Sequence, residues 1–170
     1  IDPFDLRHNT AIVMQESWLF SGTVRENIAA GAENPSDDDV LEAAKQAGVH
    51  DFLAEHPQGY DLKISERGEG LSGGQKQAIA IARALVADPA VLILDEPTSM
   101  MDMSAEARFV QRLKAVTQDK TLIIITHRTA LLELASRVVV LDQGQVVADG
   151  PKSILKQRSA EQAKNGIASE

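Results

Sequence analysis

Ala90-Val91-Leu92-Ile93-Leu94 runs without a polar interruption into Asp95-Glu96-Pro97. A short unbroken apolar run stopped by two carboxylates and a proline reads as a strand buried on both faces, with an acidic tip. Leu122-Ile123-Ile124-Ile125 repeats the pattern and ends on Thr126-His127; Val138-Val139-Val140-Leu141 repeats it again. Between the first two runs Phe109, Val110, Leu113 and Val116 recur at helical spacing, which supplies the crossover that a parallel pair of strands requires. The expectation is an α/β fold with a largely parallel core built from these three runs. Asn9 to Met14 fits an edge strand, and Val138–Leu141 with Gln145–Ala148 fits a hairpin over Asp142-Gln143-Gly144.

Between Gly22 and Glu69 the pattern turns helical. Ser36 and Asp37 fit a helix cap, Val40, Leu41, Ala43, Ala44 and Ala47 form one face, and Gly48 ends the segment. His56-Pro57-Gln58-Gly59 breaks the chain again. A helix over 74–86, with Ala78, Ile79, Ala82, Leu85 and Val86 as its buried stripe, leads back to the strands. The expected organisation is an α/β segment over 1–21, a helical insert over 22–86, a return to the α/β core over 87–157 and a polar tail over 158–170.

With 170 residues, 44% hydrophobic and 25% charged, the chain has the composition of a globular domain with one substantial core. No apolar run approaches the roughly 18 residues that suggest a membrane span. A net charge of −8 gives no general electrostatic reason to approach nucleic acid or an anionic lipid surface. With no cysteine there is neither a disulfide framework nor a thiolate metal site. The first residue is Ile1, and the expectation is that the chain was cut from something longer.

The chemistry concentrates in a few stretches. Leu71-Ser72-Gly73-Gly74-Gln75 puts a hydroxyl and two glycines at the start of the 74–86 helix, where free amides and the positive end of the helix dipole favour phosphate. Asp95, at the mouth of a parallel sheet, is placed to hold Mg²⁺, and Glu96 beside it to activate water for phosphoryl transfer. His127 leaves the next strand toward the same edge. Gln15 ends the first strand and offers a neutral amide to Mg²⁺. Trp18-Leu19-Phe20 after it is expected to be partly exposed for a partner; plugging the core is the plainer alternative. His8, His50 and His56 have no comparable setting. No G-x-x-x-x-G-K-S/T occurs in the chain, so the loop that cradles β- and γ-phosphates is missing from it.

Together these residues resemble the nucleotide-binding domain of an ATP-binding cassette (ABC) transporter of the exporter type, from Ile1 to about Leu155. The resemblance implies a partial P-loop NTPase, RecA-like core with a parallel sheet and an all-helical subdomain. It makes Gln15 the Q-loop glutamine, Leu71–Gln75 the signature, Asp95 the Walker B aspartate, Glu96 the catalytic base, His127 the switch histidine and Asp102 the D-loop aspartate. Leu19 to Ile28 looks like the stretch after the exporter Q-loop. Glu66 is similar to the exporter loop that touches the membrane domains, although Ser65 stands where glycine is usual, and Ser99-Met100-Met101-Asp102 departs from the small or aliphatic residues commoner in the D-loop.

By the same resemblance the cofactors are ATP and Mg²⁺, with Ser72, Gly73, Gly74 and Gln75 acting on nucleotide held by a second nucleotide-binding domain in a head-to-tail dimer. The partners are that domain and the transporter's transmembrane domains, with no nucleic acid, at the cytoplasmic face of the inner membrane. Without a phosphate-binding loop the chain alone is expected to be inactive. Two alternatives stand beside this reading: a non-hydrolysing docking or regulatory module that lends its signature to another ATPase, and a chromosome-organising or DNA-repair ATPase. Too few residues separate Gln15 from Leu71 for the long coiled-coil arms of the latter, whose helices rise only about 1.5 Å per residue.

Overall fold

The computed structural model describes residues 2–155, and the 158–170 tail expected from the sequence lies outside them. The chain divides into two compact units between His127 and Arg128.

In the first unit, α1 (Pro3–His8) leads into β1 (Thr10–Val13), and β4 (Val91–Asp95) and β5 (Thr121–Ile125) complete a parallel sheet in the order β1-β4-β5. Its register pairs Ala11 with Leu92 and Leu92 with Leu122, then Val13 with Leu94 and Leu94 with Ile124. The crossover from β4 to β5 is α6 (Met103–Val116), which buries Phe109, Val110 and Leu113. Edge placement of the first strand and the helical crossover are as the sequence predicts.

Burial of the strands on both faces is not. Val13, Leu92 and Leu94 are buried, while Ile12 on the opposite face is 58% exposed, Ile123 46% and Ile125 53%. Strand side chains alternate between faces, and an apolar run keeps this alternation whatever covers each face. One face of this sheet is therefore open among the described residues.

The segment between β1 and β4 holds α2 (Val24–Ala29), α3 (Asp37–Ala47), α4 (Val49–Leu53) and α5 (Gly73–Leu85). It is not purely helical: Gly22–Thr23 (β2) pairs antiparallel with Lys63–Ile64 (β3). The caps explain where each helix begins. Thr23, Ser36 and Ser72 each close a reciprocal box with the side chain three residues on, Glu26, Asp39 and Gln75. Gly48, at φ +83, ends α3 and starts α4 in the left-handed conformation that glycine adopts without a Cβ penalty. α5 packs against α2, α3, α4 and β1, burying Ile79, Ile81, Ala82 and Leu85. Each of these Ile and Leu side chains contributes about 1.5–3 kcal/mol on leaving water.

The second unit contains the hairpin of β6 (Arg137–Asp142) and β7 (Gln145–Pro151). Gln143 and Gly144 both have positive φ, as the two-residue turn of a right-twisted hairpin requires. The hairpin is as expected, but Val138–Leu141 is not a strand of the parallel sheet. A run of four apolar residues is compatible with either kind of pairing, and here the tight turn makes it antiparallel.

Candidate functional site at the strand ends and the start of α5

Parallel strands deliver their carboxyl ends to one edge of the sheet. Asp95 is the last residue of β4, half-buried in the middle strand, and has no ion pair among the described residues. Glu96 follows in a left-handed conformation, φ 44, which costs a non-glycine residue on the order of 1–3 kcal/mol. Its N–H donates to the Ile125 carbonyl at 2.9 Å, carrying the β4–β5 pairing one residue past the strand.

That turn sends the Glu96 side chain across to the neighbouring strand end. Oε1 lies 2.7 Å from His127 Nδ1 and accepts the His127 backbone N–H at 3.1 Å, while Oε2 accepts from Thr126 Oγ1 at 3.2 Å. The carboxylate is 15% exposed and the imidazole 78%, so a sheltered acceptor is bridged to a ring open to solvent. Gln15 is exposed two residues beyond Val13, whose register partner is Leu94, which puts it at the same sheet edge. Asp95, Glu96 and His127 thus share one edge, as expected for neighbouring parallel strands, and Gln15 leaves β1 at the same end. Thr126 belongs with them and gave no signal in the sequence beyond its place before His127.

The second group gathers at the start of α5. Ser72 Oγ accepts the Gln75 N–H at 3.2 Å, and Gln75 Oε1 accepts the Ser72 N–H at 2.9 Å. The Gln75 amide therefore closes the helix cap. Gly73 lets the Met100 segment approach, since a Cβ there would stand 2.9 Å from Met100 Cβ, while one on Gly74 would meet the Met100 carbonyl oxygen at an ordinary 3.5 Å. Ser72, Gly74, Met100, Met101 and Asp102 border a cleft of about 240 Å³. Asp102 caps α6, accepting the Ala105 N–H and the Ser104 hydroxyl at 2.8 Å each, and these bonds, the Ala105 amide first, hold its carboxyl below the usual range.

The two groups are joined through Pro97–Met101. Within that link Thr98 Oγ1 donates to Glu106 Oε1 at 2.6 Å, both residues buried. This contact escaped the sequence reading. Of the Trp18-Leu19-Phe20 trio, Trp18 and Phe20 are exposed and Leu19 is buried, so partial exposure holds for the two aromatics. The Arg67 guanidinium lies over the Trp18 ring at 5.5 Å, bringing the loop of Glu66 to this segment. Among the described residues no cluster of three or more His, Cys, Asp or Glu is arranged to hold a metal by itself.

Residues 3–99 match the ABC transporter family profile. The chain is 48% identical over 141 residues to an uncharacterised ABC transporter ATP-binding protein, YknU, of Bacillus subtilis (strain 168), an alignment covering 83% of this chain and 24% of that protein. It is 43% identical over 145 residues to a putative multidrug export ATP-binding/permease protein of Staphylococcus aureus (strain NCTC 8325 / PS 47), covering 85% of this chain and 25% of that one. The solved structure of a bacterial Atm1-family ABC exporter with ATP bound superimposes with a TM-score of 0.85 at 40% identity, over 97% of this chain and 29% of that one. The chain spans about a quarter of the length of the curated relatives it matches.

Proposed function

Because the chain belongs to the ABC transporter family, we propose that it is the ATP-binding and ATP-hydrolysing module of an export transporter, working in a head-to-tail pair of nucleotide-binding domains. The observation that carries this reading is the Glu96–His127 contact at the sheet edge beside Asp95. Hydrolysis of a phosphoanhydride needs an oriented water and compensation of developing charge. Glu96 is the acceptor for the proton of that water, and His127 is the neighbouring donor that holds Glu96 and reaches toward the terminal phosphate. Ser72 and the glycines after it supply amides and a hydroxyl to nucleotide held by the second domain.

Asp95 and Gln15 suit Mg²⁺ carried with ATP, since such an ion takes one or two protein ligands and completes its shell with phosphate and water. When bound, the ion neutralises phosphate charge. The transmembrane domains are the partners that turn closure of the pair into export, with the module at the cytoplasmic face of the membrane. No helix among the described residues is long and apolar enough to cross a membrane. The phosphate cradle is supplied from outside these 170 residues, which hold no G-x-x-x-x-G-K-S/T, and the isolated chain turns ATP over negligibly.

The test has two arms. In a full-length transporter carrying this module, Glu96→Gln is expected to abolish ATP turnover while ATP binding persists. Full turnover by that variant rejects the assignment of Glu96, and sustained Glu96-dependent turnover by the isolated chain rejects its dependence on an external cradle.

A further inference from the structure

The segment that follows Gln15 is tied to α5 directly at Ser17 and Trp18, and at Phe20 through Asn27 of α2. Ser17 Oγ donates to Gln77 Oε1 at 2.5 Å. Arg83 Nη1 donates to the Trp18 carbonyl at 2.9 Å. Phe20 is held through both backbone groups by Asn27, whose Oδ1 accepts the Phe20 N–H and whose Nδ2 donates to the Phe20 carbonyl, each at 2.9 Å. Asn27 is in turn gripped by Arg83, with Nη2 on its Oδ1 at 2.6 Å and Nε on its carbonyl at 2.8 Å.

One guanidinium therefore spends three donors on backbone and amide oxygens of Trp18 and Asn27, and lies 4.6 Å over the Phe20 ring as well. A planar fork with fixed donor directions suits such a junction. Backbone packing points the same way. A Cβ at Gly31, just past α2, would stand 1.8 Å from the Arg83 carbonyl oxygen, so the end of α2 presses directly on α5 at this residue. Gln77 and Asn27 are both buried, and Gln77 Nε2 has no partner among the described residues. A buried amide with its NH2 unpaired costs free energy, and the one bond it makes, to Ser17, offsets part of that cost.

Gln77 and Arg83 sit on the same helix that begins at Ser72 and Gly73, and α-helices resist bending over such lengths. We propose that Arg83 and Gln77 are positioning residues that make the Ser17–Phe20 segment and the α5 helix one rigid body, so that any displacement of the loop bearing Gln15 is delivered to Ser72 and Gly74. The clamp itself is independent of the function proposed above; its consequence for turnover rests on that reading.

Hydrogen exchange on the purified chain tests the clamp, with Arg83→Met, Arg83→Lys and Gln77→Leu. The loss of a buried bond is expected to accelerate exchange over residues 18–28 about tenfold in Arg83→Met and Gln77→Leu, less in Arg83→Lys, with α6 unchanged. Wild-type exchange over 18–28 in both variants overturns the proposal, and so does equal acceleration in α6, which marks ordinary destabilisation. Gln77→Leu removes a single bond and keeps the test decisive if Arg83→Met does not fold. In the full transporter the same variants are expected to lower kcat with KM for ATP held; kcat unchanged while exchange is accelerated overturns the positioning role. A wild-type transporter without Glu96-dependent turnover would instead count against the ATPase reading and leave the exchange comparison intact.

Discussion

Thr98 Oγ1 donates to Glu106 Oε1 at 2.6 Å, and neither residue is more than 9% exposed. The bond ties the turn after Glu96-Pro97 to the first turn of α6, so it fixes the path of the chain between the sheet edge and the cleft beside Ser72. Thr98→Val keeps the shape and deletes one donor to a buried carboxylate. The expected loss is about 1–3 kcal/mol, read as a lower midpoint in urea with an unchanged slope. Thr98→Ser, which restores the hydroxyl, is expected to recover most of it.

Gly48 meets two demands at once. Its φ of +83 disfavours any residue with a Cβ, and that Cβ would stand 2.1 Å from Arg112 Nη1, on the side chain that pairs with Asp51. Gly48→Ala is expected to cost about 1–2 kcal/mol from the backbone alone, with a further part from expelling the guanidinium. Arg112→Ala should relieve the second part only. A double-mutant cycle on urea midpoints therefore gives a favourable coupling for Gly48→Ala with Arg112→Ala, and strict additivity would reject the steric account.

These two contacts also mark where the sequence stops being readable. Ser36, Gly48, Ser72 and Gln75 announce their helix ends because a cap depends on residues three or four apart. Asp95, Glu96 and His127 are legible because parallel strands force their tips together. Thr98 with Glu106, and Ser17 with Gln77, join elements whose meeting depends on the packed helices, and nothing local encodes it. The open face carrying Ile12, Ile123 and Ile125 departs from the sequence expectation for a related reason: an apolar run records what a strand tolerates on each face and is silent on what is laid against it. Val138–Leu141 failed at the level of partner choice, which the Gln143-Gly144 turn decides.

Asp102 links stability to pH. Its carboxyl is held below the 3.8 of a free side chain, first by the Ala105 N–H and then by the Ser104 hydroxyl. Because the folded state prefers the ionised form, the stabilising contribution is complete above the unfolded pKa and is lost as pH falls through the lower folded one. Asp102→Asn keeps an accepting oxygen for the cap and removes the charge. Wild type should therefore melt above Asp102→Asn near neutral pH, with the gap closing only below about pH 4 and shrinking in high salt. A gap that persists undiminished to lower pH would mean that the cap, and not the charge, carries the difference.

Trp18 is the one tryptophan of the chain, so its emission reports a single place. The indole is 60% exposed, with the Arg67 guanidinium 5.5 Å from the ring centroid, while Leu19 beside it is buried. An indole so placed should emit at the long wavelength of a hydrated ring and be quenched readily by acrylamide. Iodide should quench it more strongly still relative to acrylamide than in Arg67→Ala, because the guanidinium draws the anion to the ring. A dry-core emission maximum would contradict the exposure. Equal iodide quenching with and without Arg67 would show that the cation does not rest over Trp18 in solution, and would remove the contact that joins the Glu66 loop to the segment after Gln15.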